Sequence, residues 1–224
     1  MRTYLELRIL IFLECGRKPL NTKIVGGGEV TPFSLPWQVL LLSSSGSLCG
    51  GTLIGPRHVL TAAHCMGGSL VVIVGEHDRT DSSDGTRHTV CRAVSHPNFA
   101  DTPNNIFRIN NDFAIVTLTD PVQIGPRAVP ACLPTASAHG GSFLDDKNVT
   151  ASGWGTLQSG GSLPTVLHKV TVPGVSNAVC QQLYEGEYGP NAILPDMMCA
   201  GNTVEGGVDA CQGDSGGNRI PLNK

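Results

Sequence analysis

Close to the C-terminal end of the chain stands Asp209-Ala-Cys-Gln-Gly-Asp-Ser-Gly-Gly217. In it, Ser215 lies between an aspartate and two glycines, and glycine lets the backbone turn sharply and bring its N–H groups close to a bound oxygen. A serine in such a turn can be a nucleophile flanked by its own oxyanion-binding N–H groups. It can equally belong to an ordinary glycine-rich turn. A base and an orienting acid elsewhere in the chain would decide between the two interpretations.

The composition favours a β-rich protein. The 224 residues suffice for one large β domain or two smaller lobes with a sizeable core. Only 15% of the residues are charged and 28 are glycine, a mixture that favours short strands joined by turns over helices. The net charge of −3 provides no basic surface for phosphate groups, so nucleic acid is a poor candidate partner.

The eight cysteines indicate an oxidising compartment. None forms a CxxC pair, so disulfides explain them better than zinc or a thioredoxin-type redox site. Because disulfides persist outside the cytosol, we expect a secreted protein. Met1–Leu20 is a poor signal peptide, since Glu6 and Arg8 interrupt its apolar residues. The apolar patch is too short to span a bilayer, so we expect no membrane partner and a true N-terminus that is missing here.

Apolar runs bounded by turn residues predict strands in two regions of the chain. The predicted strands of the first region are Pro36–Leu42, Cys49–Ile54, Leu70–Val74, His88–Val94 and Asn111–Leu118, and the run Val59–Cys65 follows a turn that begins at Pro56. Those of the second region are Asn148–Gly155, Leu167–Val172 and Ile193–Ala200. Pro121–Pro134 indicates a connector, and Ser176 can cap a short helix that reaches Tyr184. This spacing of strands is typical of a β-barrel or a sandwich.

Three further segments carry candidate functional residues. His64 stands among small and apolar residues beside Cys65, where a histidine is either structural or a base. Asp112 lies at the start of an apolar strand, where it caps the strand or needs a partner if it is buried. Lys23 directly precedes Ile24-Val-Gly-Gly27, so cleavage after Lys23 would create a new apolar N-terminus. Each segment by itself also has a purely structural interpretation.

Five motifs occur in a single order along the chain. They are Ile24-Val-Gly-Gly27, Leu60-Thr-Ala-Ala-His-Cys65, Asn111-Asp-Phe-Ala-Ile115, Ser152-Gly-Trp-Gly155 and Gly213-Asp-Ser-Gly-Gly217. With them the chain resembles the trypsin/chymotrypsin-like serine proteases from about Cys15 to Gly217. The resemblance implies an all-β fold of two antiparallel six-stranded β-barrels, with the active site in the cleft between them. It also implies a lead segment over 1–23 and a peptidase domain over 24–224, divided into a first barrel (24–130) and a second (131–224).

The resemblance assigns a role to each member of a catalytic triad. His64 is the general base and then the general acid, Asp112 orients its imidazole, and Ser215 is the nucleophile. A serine hydroxyl is a poor nucleophile at neutral pH, and histidine titrates near that pH, so the chemistry needs this combination. The backbone N–H groups of Gly213 and Ser215 would form the oxyanion hole.

The motif Gly213–Gly217 also matches G-x-S-x-G, the nucleophile elbow of α/β-hydrolases. In that fold the acid and the histidine follow the serine along the chain. No histidine follows Ser215 in this sequence, so the α/β-hydrolase interpretation fails.

Specificity and activation also follow from the resemblance. Asp209 matches the base of the primary specificity pocket, where an ionised carboxylate pairs with an Arg or Lys side chain of the substrate. We therefore expect cleavage after Arg or Lys. Cleavage after Lys23 would free the α-amine of Ile24, which would insert, pair with Asp214, and order the oxyanion loop and the pocket.

By the same resemblance we expect three disulfides, namely Cys15–Cys132, Cys49–Cys65 and Cys180–Cys199. Cys91 and Cys211 have no expected partner in the family pattern. They are the two cysteines left over, and this remainder is the only argument for pairing them with each other.

Two further features concern modification and metal binding. Asn148-Val-Thr150 is a glycosylation sequon. Glu76 and the acids near it suggest a calcium loop. Thr86 stands at the second ligand position of such loops, so we expect no metal and no other cofactor.

After the serine motif the sequence departs from the family. Asn218 replaces the usual proline, and Asn218–Lys224 shows no strand pattern. We therefore expect a second barrel that is incomplete at its C-terminal end and lacks the far wall of the specificity pocket. Barrel closure removes sheet edges, so an early end would leave edges unpaired.

Together these features predict a secreted serine endopeptidase of trypsin-like specificity, made as a zymogen and acting through an acyl-enzyme without a cofactor. Its partners would be protein or peptide substrates, an activating protease and protein inhibitors. The alternative is a non-catalytic homologue that acts as a binding or regulatory protein. The complete triad argues against that alternative, and the incomplete barrel argues for it.

Overall fold

The structure, a computed structural model, describes residues 15–16, 27–99, 110–134, 145, 147–158, 160–195, 197–203, 213–217 and 219–221. The strands before the middle of the chain are β1 (Gly28–Glu29), β2 (Gln38–Ser43), β3 (Leu48–Gly55), β4 (His58–Thr61), β5 (Leu70–Val74), β6 (Thr86–Ser95) and β7 (Ala114–Leu118). Those after it are β8 (Asn148–Gly153), β9 (His168–Val175), β10 (Cys199–Ala200) and β11 (Arg219–Pro221). A 3-10 helix spans Ala63–Cys65, and the α-helix α1 spans Asn177–Tyr188.

Strands β2 to β7 form a closed antiparallel barrel in the order β2-β3-β4-β7-β6-β5. The barrel closes because β2 pairs on both sides, so that Leu41 lies opposite Cys49 of β3 and Val72 of β5. Side chains alternate along β7, and Val116 and Leu118 point into the core. The predicted all-β fold is confirmed, with one closed six-stranded barrel.

A five-stranded antiparallel sheet follows the barrel in the order β1-β9-β8-β11, with β10 also paired to β9. Its central pair buries Val149 of β8 opposite Val172 of β9. Strand β1 precedes the barrel in the chain, yet it joins this sheet with Glu29 opposite His168. That the residues after the first barrel form a second six-stranded barrel, incomplete at its C-terminal end, stays a prediction.

The last described strand lies in a segment whose sequence shows no strand pattern. Arg219–Pro221 forms β11, which pairs with β8 opposite Val149–Ala151. Three residues are too few to show an alternation, so it is the main-chain pairing that defines this strand. Pro221 has no N–H to donate to a neighbouring strand, and proline is tolerated there because β11 is an edge strand of the described sheet.

The helix predicted after Ser176 is confirmed, and it extends beyond Tyr184 to Tyr188. The Ser176 hydroxyl accepts the N–H of Val179 and so caps the first turn. No helix of the described residues is long and apolar enough to cross a bilayer.

The strand predicted over Ile193–Ala200 is wrong except for its last two residues, which form β10. The side-chain amide of Asn177 donates to the carbonyls of Leu194 (3.2 Å) and Met197 (2.8 Å). These bonds hold the segment in a turn against the start of α1, so it is unavailable for a longer ladder.

Candidate active site

His64 lies in the short 3-10 helix that follows β4 directly. Strand β4 ends at Thr61, because its partner β7 begins at Ala114, opposite Thr61, and offers no further ladder. The chain then turns at the rim of the barrel. There the His64 side chain is 38% exposed, which leaves it accessible to a substrate.

Asp112 is brought to His64 by the pairing of β4 with β7, since it lies just before β7. Its Oδ2 accepts a hydrogen bond from Nδ1 of His64 at 2.7 Å, and its Oδ1 accepts the main-chain N–H of His64 at 2.9 Å. An ionised carboxylate only accepts, so Nδ1 carries the proton. Nε2 is then the ring nitrogen with the free lone pair, as a general base requires.

Asn111 sets the backbone that presents Asp112. It has a φ of 56°, and asparagine is one of the few residues that adopt this left-handed region readily. Its carbonyl accepts the N–H of Phe113 at 2.8 Å, which closes a tight turn centred on Asp112. Its side-chain amide donates to the carbonyl of Asn98 at 3.3 Å. Local backbone geometry as well as His64 therefore fixes the carboxylate.

Ser215 lies in a turn closed by a hydrogen bond from the Gly217 N–H to the Asp214 carbonyl (2.9 Å). The Ser215 carbonyl accepts the N–H of Gly50 in β3 at 2.7 Å. The same carbonyl lies 3.9 Å from Sγ of Cys65, the neighbour of His64. The turn is thus seated on the corner of the first barrel that carries the histidine.

Gly216 allows this close approach. It has a φ of 74°, and a Cβ added to it would lie 2.7 Å from the carbonyl oxygen of Gly50 and 2.7 Å from the nitrogen of Ala62. Beneath the turn, the Thr61 hydroxyl donates to the Gly50 carbonyl at 2.7 Å. We call Gly50, Thr61 and Ala62, which lie against the turn, its seat. A side chain at position 216 does not fit against this seat unless Ser215 is displaced.

The carboxylate of Asp214 lies against the end of β8. Its Oδ1 accepts the N–H of Gly155 at 2.8 Å, and a Cβ added to Gly155 would lie 2.5 Å from the Asp214 carboxyl carbon. Asp214 also lines a cavity of about 380 Å³ together with Gly27 and Gly28 beside β1. The residue before the candidate nucleophile therefore faces the segment that leads back toward Ile24.

Cys49, His64 and Cys65 place three possible metal-ligand atoms within 4.8 Å of one another. Both sulfurs are consumed in the Cys49–Cys65 disulfide, however, and a metal needs thiolates. The group is therefore a covalent brace beside His64 and does not fit a metal.

Comparison with known proteins decides the family. The family model described as Trypsin matches residues 24–224, which is most of the chain. The chain belongs to the trypsin family. The resemblance carried by the five ordered motifs is confirmed.

Individual relatives in the trypsin family agree. Serine protease 1 of Rattus norvegicus is 38% identical over 199 residues, covering 88% of this chain and 74% of the relative. Trypsin of Saccharopolyspora erythraea is 38% identical over 205 residues, covering 90% and 83%. Serine protease filzig of Drosophila melanogaster is 37% identical over 218 residues, covering 91% of this chain but 12% of that protein. The chain spans between 12% and 33% of the length of the longer relatives that it matches.

These relatives support a serine endopeptidase at the level of the trypsin family. The names of these relatives are those of proteases, so the alternative of a non-catalytic binding protein is not favoured.

Other predicted residues of this trypsin-family chain are distributed as follows. Lys23, Ile24, Asp209 and Cys211 lie outside the described residues. Asn148 is exposed as the first residue of β8. The described residues form three disulfides, Cys15–Cys132, Cys49–Cys65 and Cys180–Cys199. Cys91 is an exposed free thiol on β6.

Reasoning from the sequence missed the seat for the serine turn. Gly50 and Thr61, which hold the turn through Ser215 and Gly216, were not singled out. The available signal was Cys49-Gly-Gly, because paired glycines inside a strand often mark a close approach of another backbone segment.

The sequence indicated Glu76 only as a possible calcium ligand and did not reveal that its side chain is buried. It lies on the loop after β5 and is only 8% exposed. Burial, and next the nearby charge of Asp84, raise its pKa to about 7, while Arg87 acts in the opposite direction.

Proposed function

We propose that this chain is a serine endopeptidase that hydrolyses peptide bonds through an acyl-enzyme intermediate. The observation that carries the proposal is the 2.7 Å hydrogen bond between His64 and Asp112, at the corner of the barrel on which the Ser215 turn is seated. A proton held on Nδ1 leaves Nε2 as a base, and in this proposal Ser215 supplies the hydroxyl that the base activates. Membership of the trypsin family supports the same chemistry.

The reaction proposed for these residues has two steps. Nε2 of His64 takes the Ser215 proton as the hydroxyl attacks the substrate carbonyl, and Asp112 stabilises the imidazolium that forms. The same histidine then protonates the leaving amine, and water repeats the sequence to release the acyl group. The N–H groups of Gly213 and Ser215 would receive the oxyanion, and loss of one such donor typically costs about 10²–10³ in rate.

Specificity and activation are part of the proposal. Asp209 would lie at the floor of the primary pocket and select Arg or Lys. Cleavage after Lys23 by another protease would free Ile24 to pair with Asp214. The position of Asp214 beside the 380 Å³ cavity and β1 supports this route. In the same proposal, 24–130 and 131–224 form the two barrels behind a lead segment over 1–23.

Compartment and partners complete the proposal. Three disulfides suit a secreted protein, and Asn148 is an exposed acceptor for a glycan. The partners would be protein or peptide substrates, the activating protease, and protein inhibitors that occupy the same cleft.

A direct test uses the chain after cleavage of the Lys23–Ile24 bond. A fluorophosphonate probe should label Ser215, and an arginine ester should be hydrolysed much faster than a matched leucine ester. Ser215→Ala should abolish both signals, and Asp209→Ser should abolish the preference for arginine while probe labelling continues. A cleaved, folded chain that takes up no probe and hydrolyses neither ester would refute the proposed activity.

A further inference from the structure

A buried histidine connects strand β1 to the first barrel. His77 lies on the loop after β5, and its side chain is 8% exposed. Its Nε2 lies 3.1 Å from Oε1 of Glu29 in β1, and the carboxylate accepts, so Nε2 donates. Nδ1 is buried and has no hydrogen-bond partner among the described residues. Among the described residues, Glu29 is therefore the hydrogen-bond partner of the imidazole ring.

The main chain of His77 is held by several segments at once. Its carbonyl accepts two hydrogen bonds, from the indole N–H of Trp154 at 3.0 Å and from the N–H of Leu167 at 2.9 Å. Its own N–H donates to the Asp84 carboxylate at 3.0 Å. His77 is thus a fixed point, because moving it would break its bonds to Asp84, to Trp154 just after β8 and to Leu167 just before β9.

Trp154 links this fixed point to Asp214. The indole is fully buried, and the next residue is Gly155, whose N–H donates to the Asp214 carboxylate at 2.8 Å. The cavity that Asp214 lines is also lined by Gly28, the neighbour of Glu29. Glu29 and Asp214 are therefore braced, through His77 and Trp154, against a common framework.

The described restraints on strand β1 are a short ladder and, directly after it, the side chain of Val30, which is buried in the core. Its ladder consists of Gly28 and Glu29, opposite Lys169 and His168, and is followed by the bond from the Val30 N–H to Leu167 at 2.8 Å. Ile24 lies five residues before Glu29, a tether of at most about 17 Å when fully extended. The place where β1 is held thus determines how far the Ile24 amine can reach.

We infer that Glu29 and His77 form a latch, a pair of positioning residues that holds β1 at the mouth of the cavity beside Asp214 and so favours insertion of the Ile24 amine. The inference rests on the proposed activation after Lys23. A short, fixed tether raises the effective concentration of the amine at Asp214, whereas a released β1 lets the amine explore more positions. Loss of one such hydrogen bond shifts a two-state equilibrium roughly three- to tenfold.

The test compares Glu29→Ala and Glu29→Gln in the chain cleaved after Lys23, with exposed Glu185→Ala on α1 as the matched control. Cyanate carbamylates a free α-amine but not an inserted one, so its rate at Ile24, followed by mass spectrometry, reports insertion independently of catalysis. We expect Glu29→Ala to raise that rate roughly three- to tenfold, and to lower kcat in proportion to the fraction of chains whose amine is left uninserted. Glu29→Gln keeps an acceptor for Nε2 and should stay close to the parent, as should Glu185→Ala.

Hydrogen exchange over residues 27–30 provides the second readout. The latch predicts faster exchange there in Glu29→Ala than in Glu29→Gln, both before and after cleavage. Equal exchange, carbamylation and kcat in Glu29→Ala and the parent would overturn the latch, as would equal losses in Glu29→Ala and Glu185→Ala. A cleaved parent that neither protects Ile24 nor hydrolyses esters would refute the proposed activation instead, and the exchange difference would still decide whether Glu29 holds β1.

Discussion

The carbonyl of Ser215 accepts a hydrogen bond of 2.7 Å from the N–H of Gly50, a residue in the first barrel. Ser215 comes after strands β8 and β9 in the chain, but its carbonyl is hydrogen-bonded to β3 of the first barrel. Strand β3 pairs with β4, the strand that leads to His64. This main-chain hydrogen bond therefore joins two halves of the chain and holds the Ser215 turn against the barrel that carries His64.

Two Gly→Ala substitutions should distinguish the effect of this packing contact on kcat from the effect of backbone strain alone. Gly216→Ala places a methyl group 2.7 Å from the Gly50 carbonyl oxygen, so we expect Ser215 to shift and kcat to fall by at least about 100-fold.

The matched control for the seat is Gly160→Ala. Gly160 has a φ of 70° and no atom within 4 Å of an added Cβ, so the substitution carries the backbone strain alone, about 1–2 kcal/mol. Activity assays and thermal unfolding of both variants measure the difference. Equal losses of kcat would contradict the special role of the seat.

The orienting role of Asp112 predicts a loss of rate without a loss of fold. Asp112→Asn can donate to Nδ1 of His64 and so favours the wrong tautomer, and in serine proteases of this family the equivalent change lowers kcat about 10⁴-fold. We expect the same decrease in ester hydrolysis here, with an unfolding temperature near that of the parent. Asp120→Asn, an exposed carboxylate after β7, should leave kcat unchanged; a similar decrease in both variants would argue against a specific pair.

The buried carboxyl of Glu76 predicts a pH-dependent stability. Its pKa is about 7 in the folded chain, against an ordinary value of 4.5, so the folded state binds more protons than the unfolded state between these values. Ionisation of Glu76 then disfavours folding, and its contribution to stability is lost as pH rises from about 4.5 to about 7.

Glu76→Gln removes this titration and is the variant to measure. Its unfolding temperature relative to the parent should rise between pH 4 and pH 8, whereas exposed Glu187→Gln should show no such trend. A difference between Glu76→Gln and the parent that is constant across this range would show that Glu76 ionises alike in both states.

The disulfides predict that equal losses of stability have unequal effects on activity. Cys49–Cys65 and Cys180–Cys199 close loops of similar sequence separation, 16 and 19 residues, so removing either should cost about 2–4 kcal/mol. Only the first lies beside His64 and the Ser215 carbonyl. Paired Cys→Ser variants, compared by denaturant unfolding and by kcat at low temperature, should lose far more kcat at Cys49–Cys65. Similar losses at both would show that this bridge does not position the site.

Much of the fold was predictable because it is written in short-range patterns. Runs such as Leu70–Val74 are bounded by turn residues and become strands at nearly the predicted positions. Ser176 correctly predicted the start of α1, because a serine N-cap acts within the first turn of the helix. The prediction over Ile193–Ala200 was wrong because the side chain of Asn177, outside the run, captures its carbonyls.

The sequence alone determined the family and the identity of the candidate triad, since five ordered motifs carry them and each motif is local. Only the tertiary structure decided how these residues meet. Pairing of β4 with β7 sets Asp112 against His64, and the hydrogen bond from Gly50 holds the Ser215 turn against the same barrel. The same holds for Glu29 and His77. Such contacts join residues far apart in the chain, and closure of the barrel and docking of the second sheet create them, so no local periodicity or motif records which residue will face which.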